Sequence, residues 1–159
     1  MQYRYIDSPL GPLLLAGEAE ILHFIGFPEG RPMTPAADWQ LDNGVCAVAA
    51  RQLAEYFAGQ RQAFELQLMP TGTTFQLAVL GALQQIPYGQ TCSYGDVAKA
   101  IKRPRAVRAV GAANGRNPLP IVIPCHRVIG ANGSLTGFGG GMQAKQWLLA
   151  LESRQATLI

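Results

Sequence analysis

Apolar residues in the first part of the chain fall into short runs divided by turn formers. MQYRYI and LLLAG flank the turn-rich DSPLGP and predict a β-hairpin; ILHFIGF supplies a third strand. The stretch PEGRPMTPAADWQLDNG holds three prolines and two glycines and reads as loop. From Val45 to Phe57 the period changes: Val45, Val48, Ala49, Leu53, Tyr56 and Phe57 recur at helical spacing, and Gly59 follows as a stop. AFELQLM then alternates like a short strand, and MPTGT at 69–73 reads as a linker. This divides the chain into an α+β unit at 1–70 and a second unit at 71–159.

The second unit begins helically. Thr74 is placed to cap a helix from Phe75 to about Gln85, buried through Phe75, Leu77, Ala78, Leu80, Ala82, Leu83 and Ile86. Pro87-Tyr88-Gly89 ends it. Ser93 and Asp96 have capping-box spacing and open a helix to about Ile101, which Lys102-Arg103-Pro104 breaks. A third helix is expected from about Arg105 to Asn114. Two short helices joined by a tight break, the second rich in Arg and Ala, suit a helix-turn-helix. Asn117-Pro118-Leu119-Pro120 forces an extended path, and the apolar run IVI at 121–123 reads as a buried strand leading into Pro124-Cys125-His126. Asn132-Gly133 marks a tight turn, 137–141 a flexible loop, and Met142 to about Glu152 a last helix with Trp147, Leu148 and Leu151 inward.

Charge sharpens the division. The net charge is +3 over 159 residues, but 1–70 carry net −4 and 71–159 net +7, with six of nine basic residues between 99 and 116. That run is either a solvated helix face or a surface for a polyanion. No stretch approaches the ~20 apolar residues of a membrane span, and MQYRYIDSPLG lacks the pattern of a signal peptide. We therefore expect no membrane association and a cytoplasmic location. The three cysteines, Cys46, Cys92 and Cys125, are odd in number and widely spaced. They argue against a disulfide framework, fit a reducing compartment, and form no zinc-binding pair.

A thiol attacks as its thiolate, and a nearby imidazole is a common activator. Cys125 is followed directly by His126. On an extended chain adjacent side chains point oppositely, so contact between them needs a turn or a bridging water. A histidine base also needs its second nitrogen held, and Glu152, one of two acids in this half, is the candidate. Taken alone, the dipeptide is better explained by a core cysteine at a strand end beside a surface histidine.

The run Pro124-Cys125-His126-Arg127-Val128-Ile129-Gly130, preceded by Asn117-Pro118 and by Arg105-Ala106-Val107-Arg108-Ala109-Val110-Gly111, resembles the O6-alkylguanine-DNA alkyltransferases. The match covers Thr74 to Glu152 without an evident gap. The N-terminal half resembles the family's bacterial members in character only. The resemblance implies a small ribonuclease H-like α/β domain followed by a helical winged helix-turn-helix domain. It also implies direct-reversal repair of duplex DNA: stoichiometric, irreversible transfer of an alkyl group from guanine O6, with thymine O4 a further substrate to test.

In that family's pattern, Cys125 is the alkyl acceptor, His126 its base acting through water, and Glu152 the group that orients the imidazole. Asn117 ties the recognition helix to the active-site strand. Tyr94 donates to the departing guanine, Lys145 lies near the O6 side of the pocket, and Arg108 enters the duplex stack in place of the flipped base. Arg105 and Arg116 would face DNA, and Ala106, Ala109 and Gly111 keep the helix slim enough for a minor groove. Val128 and Gly139 would read the base edge through their backbones, with Pro120 and Phe138 lining the pocket. Gly139 suggests a roomy rim that accepts alkyl groups larger than methyl. No cofactor is implied. The zinc site of animal members is not expected, because only Cys46 and His23 could serve in the first half. A monomer that clusters on DNA fits the family. Rival readings are a lesion-binding protein without transfer, a regulator with extra domains, and a Cys-His hydrolase.

Overall fold

The computed structural model describes residues 1–28, 34–135, 138 and 141–157. The N-terminal half is a four-stranded sheet backed by one helix. β1 (Gln2–Ile6), β2 (Leu13–Glu18) and β3 (Ile21–Gly26) form an antiparallel meander, and β4 (Gln40–Leu41) joins β1 in parallel, giving the order β3-β2-β1-β4. β4 lies inside the proline-rich stretch read as loop; two residues are too few to leave a periodic signal. β2 is buried from Leu13 to Gly17, as a strand covered on both faces must be. α1 (Ala47–Phe57) buries Ala49, Gln52, Leu53 and Tyr56. Its N-terminus has no cap of its own, and the Val48 N–H is met instead by Glu20 Oε2 at 2.9 Å. AFELQLM forms no strand: its only pairing among the described residues is an isolated bridge, Leu68 to Leu22. Alternation gave the right inward face, but too few backbone groups found partners for a strand.

The C-terminal half is helical. α2 (Thr74–Leu83) starts one residue before the expected point because Thr73, not Thr74, is the cap; Thr73 and Gln76 complete a reciprocal capping box. α3 (Tyr94–Ala100) has the expected box between Ser93 and Asp96, and α4 (Val107–Gly115) follows after a six-residue break and packs on α2 and α3. β5 (Cys92–Ser93) pairs in parallel with β6 (Val128–Ile129). Gly133 takes the left-handed backbone of the Asn-Gly turn, φ 84°. α5 (Met142–Thr157) runs a turn past the expected end.

One segment departs from expectation where it matters most. Residues 118–123 form successive turns rather than a strand. Ile121 sits in the left-handed region at φ 74°, an uncommon and strained place for a β-branched residue, costing about 1–3 kcal/mol. Everything from Leu119 to Val128 is buried, so the surroundings impose this path. The halves share one core: Ile25 N–H donates to the Pro118 carbonyl at 2.9 Å, and Phe27 packs edge-on against Phe138 with centroids 5.5 Å apart.

Candidate active site

Cys125, His126 and Arg127 form a single turn of 3-10 helix between the buried turns and β6. Successive side chains on such a turn lie about 120° apart, so the expected opposition of Cys125 and His126 on an extended chain does not apply. Two asparagines at the end of α4 fix this turn. Asn114 Nδ2 donates to the Cys125 carbonyl at 3.3 Å. Asn117 Nδ2 donates to the Ile123 carbonyl at 2.8 Å, and its Oδ1 accepts from Leu119 N–H at 2.9 Å. The Asn117 side chain thus clamps both ends of the strained turn.

Behind the turn lies a buried polar cluster centred on Glu152 of α5, itself 1% exposed. His126 Nε2 lies 2.7 Å from Oε2. Arg127 holds the carboxylate in a fork, Nε to Oε1 at 2.8 Å and Nη2 to Oε2 at 3.0 Å, and its Nη1 donates to the Ile86 carbonyl at 2.7 Å. Tyr56, from α1, donates its phenol hydrogen to Oε2 at 2.6 Å. Burial alone would raise the Glu152 pKa, but the hydrogen bonds and charges of His126 and Arg127 outweigh it and hold the carboxyl at about 2. Tyr56 is shifted upward, by burial first and then by Glu152, and remains a donor.

The charged carboxylate decides the histidine tautomer. A carboxylate only accepts, so Nε2 carries the hydrogen and Nδ1 is left basic. Nδ1 is buried and meets no hydrogen-bond partner among the described residues. Burial pushes the His126 pKa below the usual value, against the pull of Glu152, with Arg127 and Lys145 adding to the depression. The imidazole is therefore neutral near pH 7, with a free basic nitrogen.

Lys145 on α5 is wholly buried, and its Nζ donates to the Val128 carbonyl at 2.6 Å. Burial lowers its pKa, while the charge of a Cys125 thiolate would raise it. By reciprocity, the Lys145 ammonium favours that thiolate.

The remaining candidates sit on the helix-turn-helix. Tyr94 opens α3, half-buried, and its ring runs alongside α4, where a side chain on Gly111 would meet it at 3.8 Å. Arg108 is exposed on the first turn of α4; Ala109, Arg105 and Arg116 are exposed and Ala106 half-buried. Pro120 and Phe138 are buried. Gly139 lies outside the described residues. Three contributors escaped the sequence reading: Arg127, Tyr56 and Asn114. Arg127 carried a usable signal, since a buried arginine in an apolar run requires a carboxylate and only Asp96 and Glu152 exist in that half.

Residues 74–154 match the family model for the 6-O-methylguanine DNA methyltransferase DNA binding domain, and residues 1–70 match the ribonuclease-like domain of the same family. The chain belongs to the 6-O-methylguanine DNA methyltransferase family. Among relatives of this family, a methylated-DNA–protein-cysteine methyltransferase of Methanosarcina acetivorans is 49% identical, the alignment covering 96% of this chain and 98% of that one. The crystal structure of Mycobacterium tuberculosis OGT in complex with DNA is 49% identical and superposes with a TM-score of 0.92, covering 98% and 94% of the two chains. An O6-methylguanine DNA methyltransferase from Methanococcus jannaschii, 27% identical, superposes with a TM-score of 0.62 over 94% and 93%. The methyltransferase fold is thus an N-terminal sheet domain and a C-terminal helical domain of mixed α+β content.

Proposed function

We propose that the protein repairs alkylated DNA by direct reversal, moving the alkyl group from guanine O6 to Cys125 once and irreversibly. The observation that carries this reading is the buried Glu152–His126 pair beside Cys125, with Nε2 committed to the carboxylate and Nδ1 left as a base. Family membership and the names of its relatives support the same chemistry.

The step is a displacement at carbon. His126 Nδ1 takes the thiol proton through a bridging water, with Lys145 close enough to favour the thiolate. The Sγ–C bond forms as the C–O6 bond breaks, and that electron pair passes into the guanine. The Tyr94 hydroxyl donates to the departing base and drains its charge. The proton that began on the thiol ends on guanine. The product is a thioether, which water does not cleave under mild conditions, so each molecule acts once and needs no cofactor.

The O6 atom is paired inside the duplex, so the nucleotide must be flipped out, at a cost of a few kcal/mol. Arg108, exposed on the first turn of α4, is placed to fill the gap. Ala106, Ala109 and Gly111 leave that helix narrow enough for the minor groove, whose readout is nearly blind to sequence. Arg105 and Arg116 supply phosphate contacts. Val128 offers backbone groups to the base edge and Pro120 and Phe138 shape the pocket wall; the sequence has glycine at 139, where a missing side chain suits alkyl groups larger than methyl. The protein acts as a monomer in the cytoplasm and can gather in clusters along DNA. A domain boundary near residue 70 accords with the separate family matches.

Excess duplex bearing a labelled O6-methylguanine tests the reading. Label on the protein should plateau at one equivalent, and Cys125→Ser should bind the duplex without accepting label. Continued turnover with release of methanol would indicate a hydrolase; tight binding with no transfer by the unaltered protein would indicate a damage sensor.

A further inference from the structure

We propose that Tyr56 is a positioning residue for alkyl transfer: from the N-terminal helix it sets how strongly Glu152 holds His126, and so the proton affinity of the nitrogen that serves Cys125. This rests on the reading of Cys125 as acceptor and His126 as its base. Tyr56 is 96 residues from Glu152 in sequence, wholly buried, and held by ring contacts with Phe57, Phe64 and Tyr88. Its phenol hydrogen reaches Glu152 Oε2 at 2.6 Å, the same oxygen that takes His126 Nε2 at 2.7 Å and Arg127 Nη2 at 3.0 Å. Three donors on one oxygen exceed its two lone-pair directions, so each weakens the others. A short bond to a charged acceptor is a strong competitor.

Removing the phenol hydrogen therefore strengthens the hold of Glu152 on His126. A firmer hold favours the imidazolium, and the base protonates at higher pH. The titratable and charged groups facing this cluster are Tyr56 from α1, Tyr88 after α2, Cys125 and Arg127 on the 3-10 turn, and Lys145 on α5, with Arg154 acting on Tyr88. Tyr56 is the member of this set supplied by the first 70 residues. The acidic N-terminal half is thereby part of the reaction machinery as well as a packing partner.

The test is the pH dependence of the single-turnover transfer rate in the full-length protein, using a duplex containing O6-methylguanine. Tyr56→Phe should move the acid limb upward by about half a pH unit or more, a loss of about threefold in rate there, with duplex affinity unchanged. Replacing Tyr56 by 3-fluorotyrosine, a stronger donor of the same shape, should move the limb the other way. Phe64→Leu loosens the packing of the same ring without touching the hydrogen bond and should leave the midpoint in place. A Tyr56→Phe profile that superimposes on the unaltered protein overturns the inference, as does an equal shift in Phe64→Leu. If the unaltered protein takes up no alkyl group, the acceptor reading falls and this inference with it.

Discussion

Replacing Arg127 with methionine keeps the length and apolar stem of the side chain but removes the fork that neutralises Glu152. Three hydrogen bonds go: those at 2.8 and 3.0 Å to the carboxylate and the one at 2.7 Å to the Ile86 carbonyl. The guanidinium also leaves the face of Tyr88, 5.6 Å away. Removing one partner of a buried ion pair costs about 3–5 kcal/mol, because the other charge is left uncompensated; the lost cation–π contact adds about 0.5–1 kcal/mol. A loss near 4 kcal/mol is a large share of a typical total of about 5–15 kcal/mol, and corresponds to a fall in Tm of about 8–16 °C. Urea unfolding at pH 7, followed by circular dichroism, reads this as a lower midpoint at unchanged slope. The Arg127→Met/Glu152→Gln double variant removes both charges and should be more stable than the sum of the single losses by about 1.5 kcal/mol or more. A loss below about 1 kcal/mol for Arg127→Met, or strict additivity in the double variant, would refute the buried fork as described.

Asn117→Ala leaves the Leu119 N–H unpaired inside the core and takes one of two donors from the Ile123 carbonyl, which keeps the Cys125 N–H at 2.7 Å; it should cost about 2–4 kcal/mol in urea unfolding and slow transfer with it, whereas a near-neutral effect would mean that the turn before Cys125 holds itself. Acid should destabilise the protein in two stages. His126 and Glu152 are both held below their ordinary values of 6.5 and 4.5, so the unfolded chain binds the extra protons and stability is present above those values. It should decline below pH 6.5 through His126, and by about 3 kcal/mol between pH 4.5 and about 2 through Glu152. A Glu152→Gln variant should lack the second stage, and an unchanged decline there would contradict the assignment. Arg108→Ala should alter stability by less than about 0.5 kcal/mol and slow transfer from duplex DNA while leaving reaction with a free alkylguanine base intact; an equal loss on both substrates would remove Arg108 from its place in the duplex.

Local signals were the most legible. The Ser93–Asp96 box, the Asn132-Gly133 turn and the helical period of Val45 to Phe57 each depend on residues within a turn or two, and each element formed near its expected place. AFELQLM misled because a strand needs a partner along its length, and only Leu68 met Leu22. IVI misled because the clamp from Asn117 and the prolines beside Leu119 overrode the β preference of its residues. The hub of the site was partly legible. Glu152 stood out as one of two acids in its half, but which donors would converge on it depended on packing. Tyr56 looked like any apolar-face aromatic until α1 was laid against α5. Arg127, beside His126, was hidden by the assumption of an extended chain, on which only one of two neighbours can face inward.

The central claim is that Cys125 is the acceptor, and intact-mass spectrometry tests it most directly. After incubation with an O6-methylguanine duplex, the protein should gain the mass of one methyl group and no more, peptide mapping should place it on Cys125, and Cys125→Ser should gain nothing. A methyl group mapped to Cys46 or Cys92, or no gain by the unaltered protein, would contradict the account.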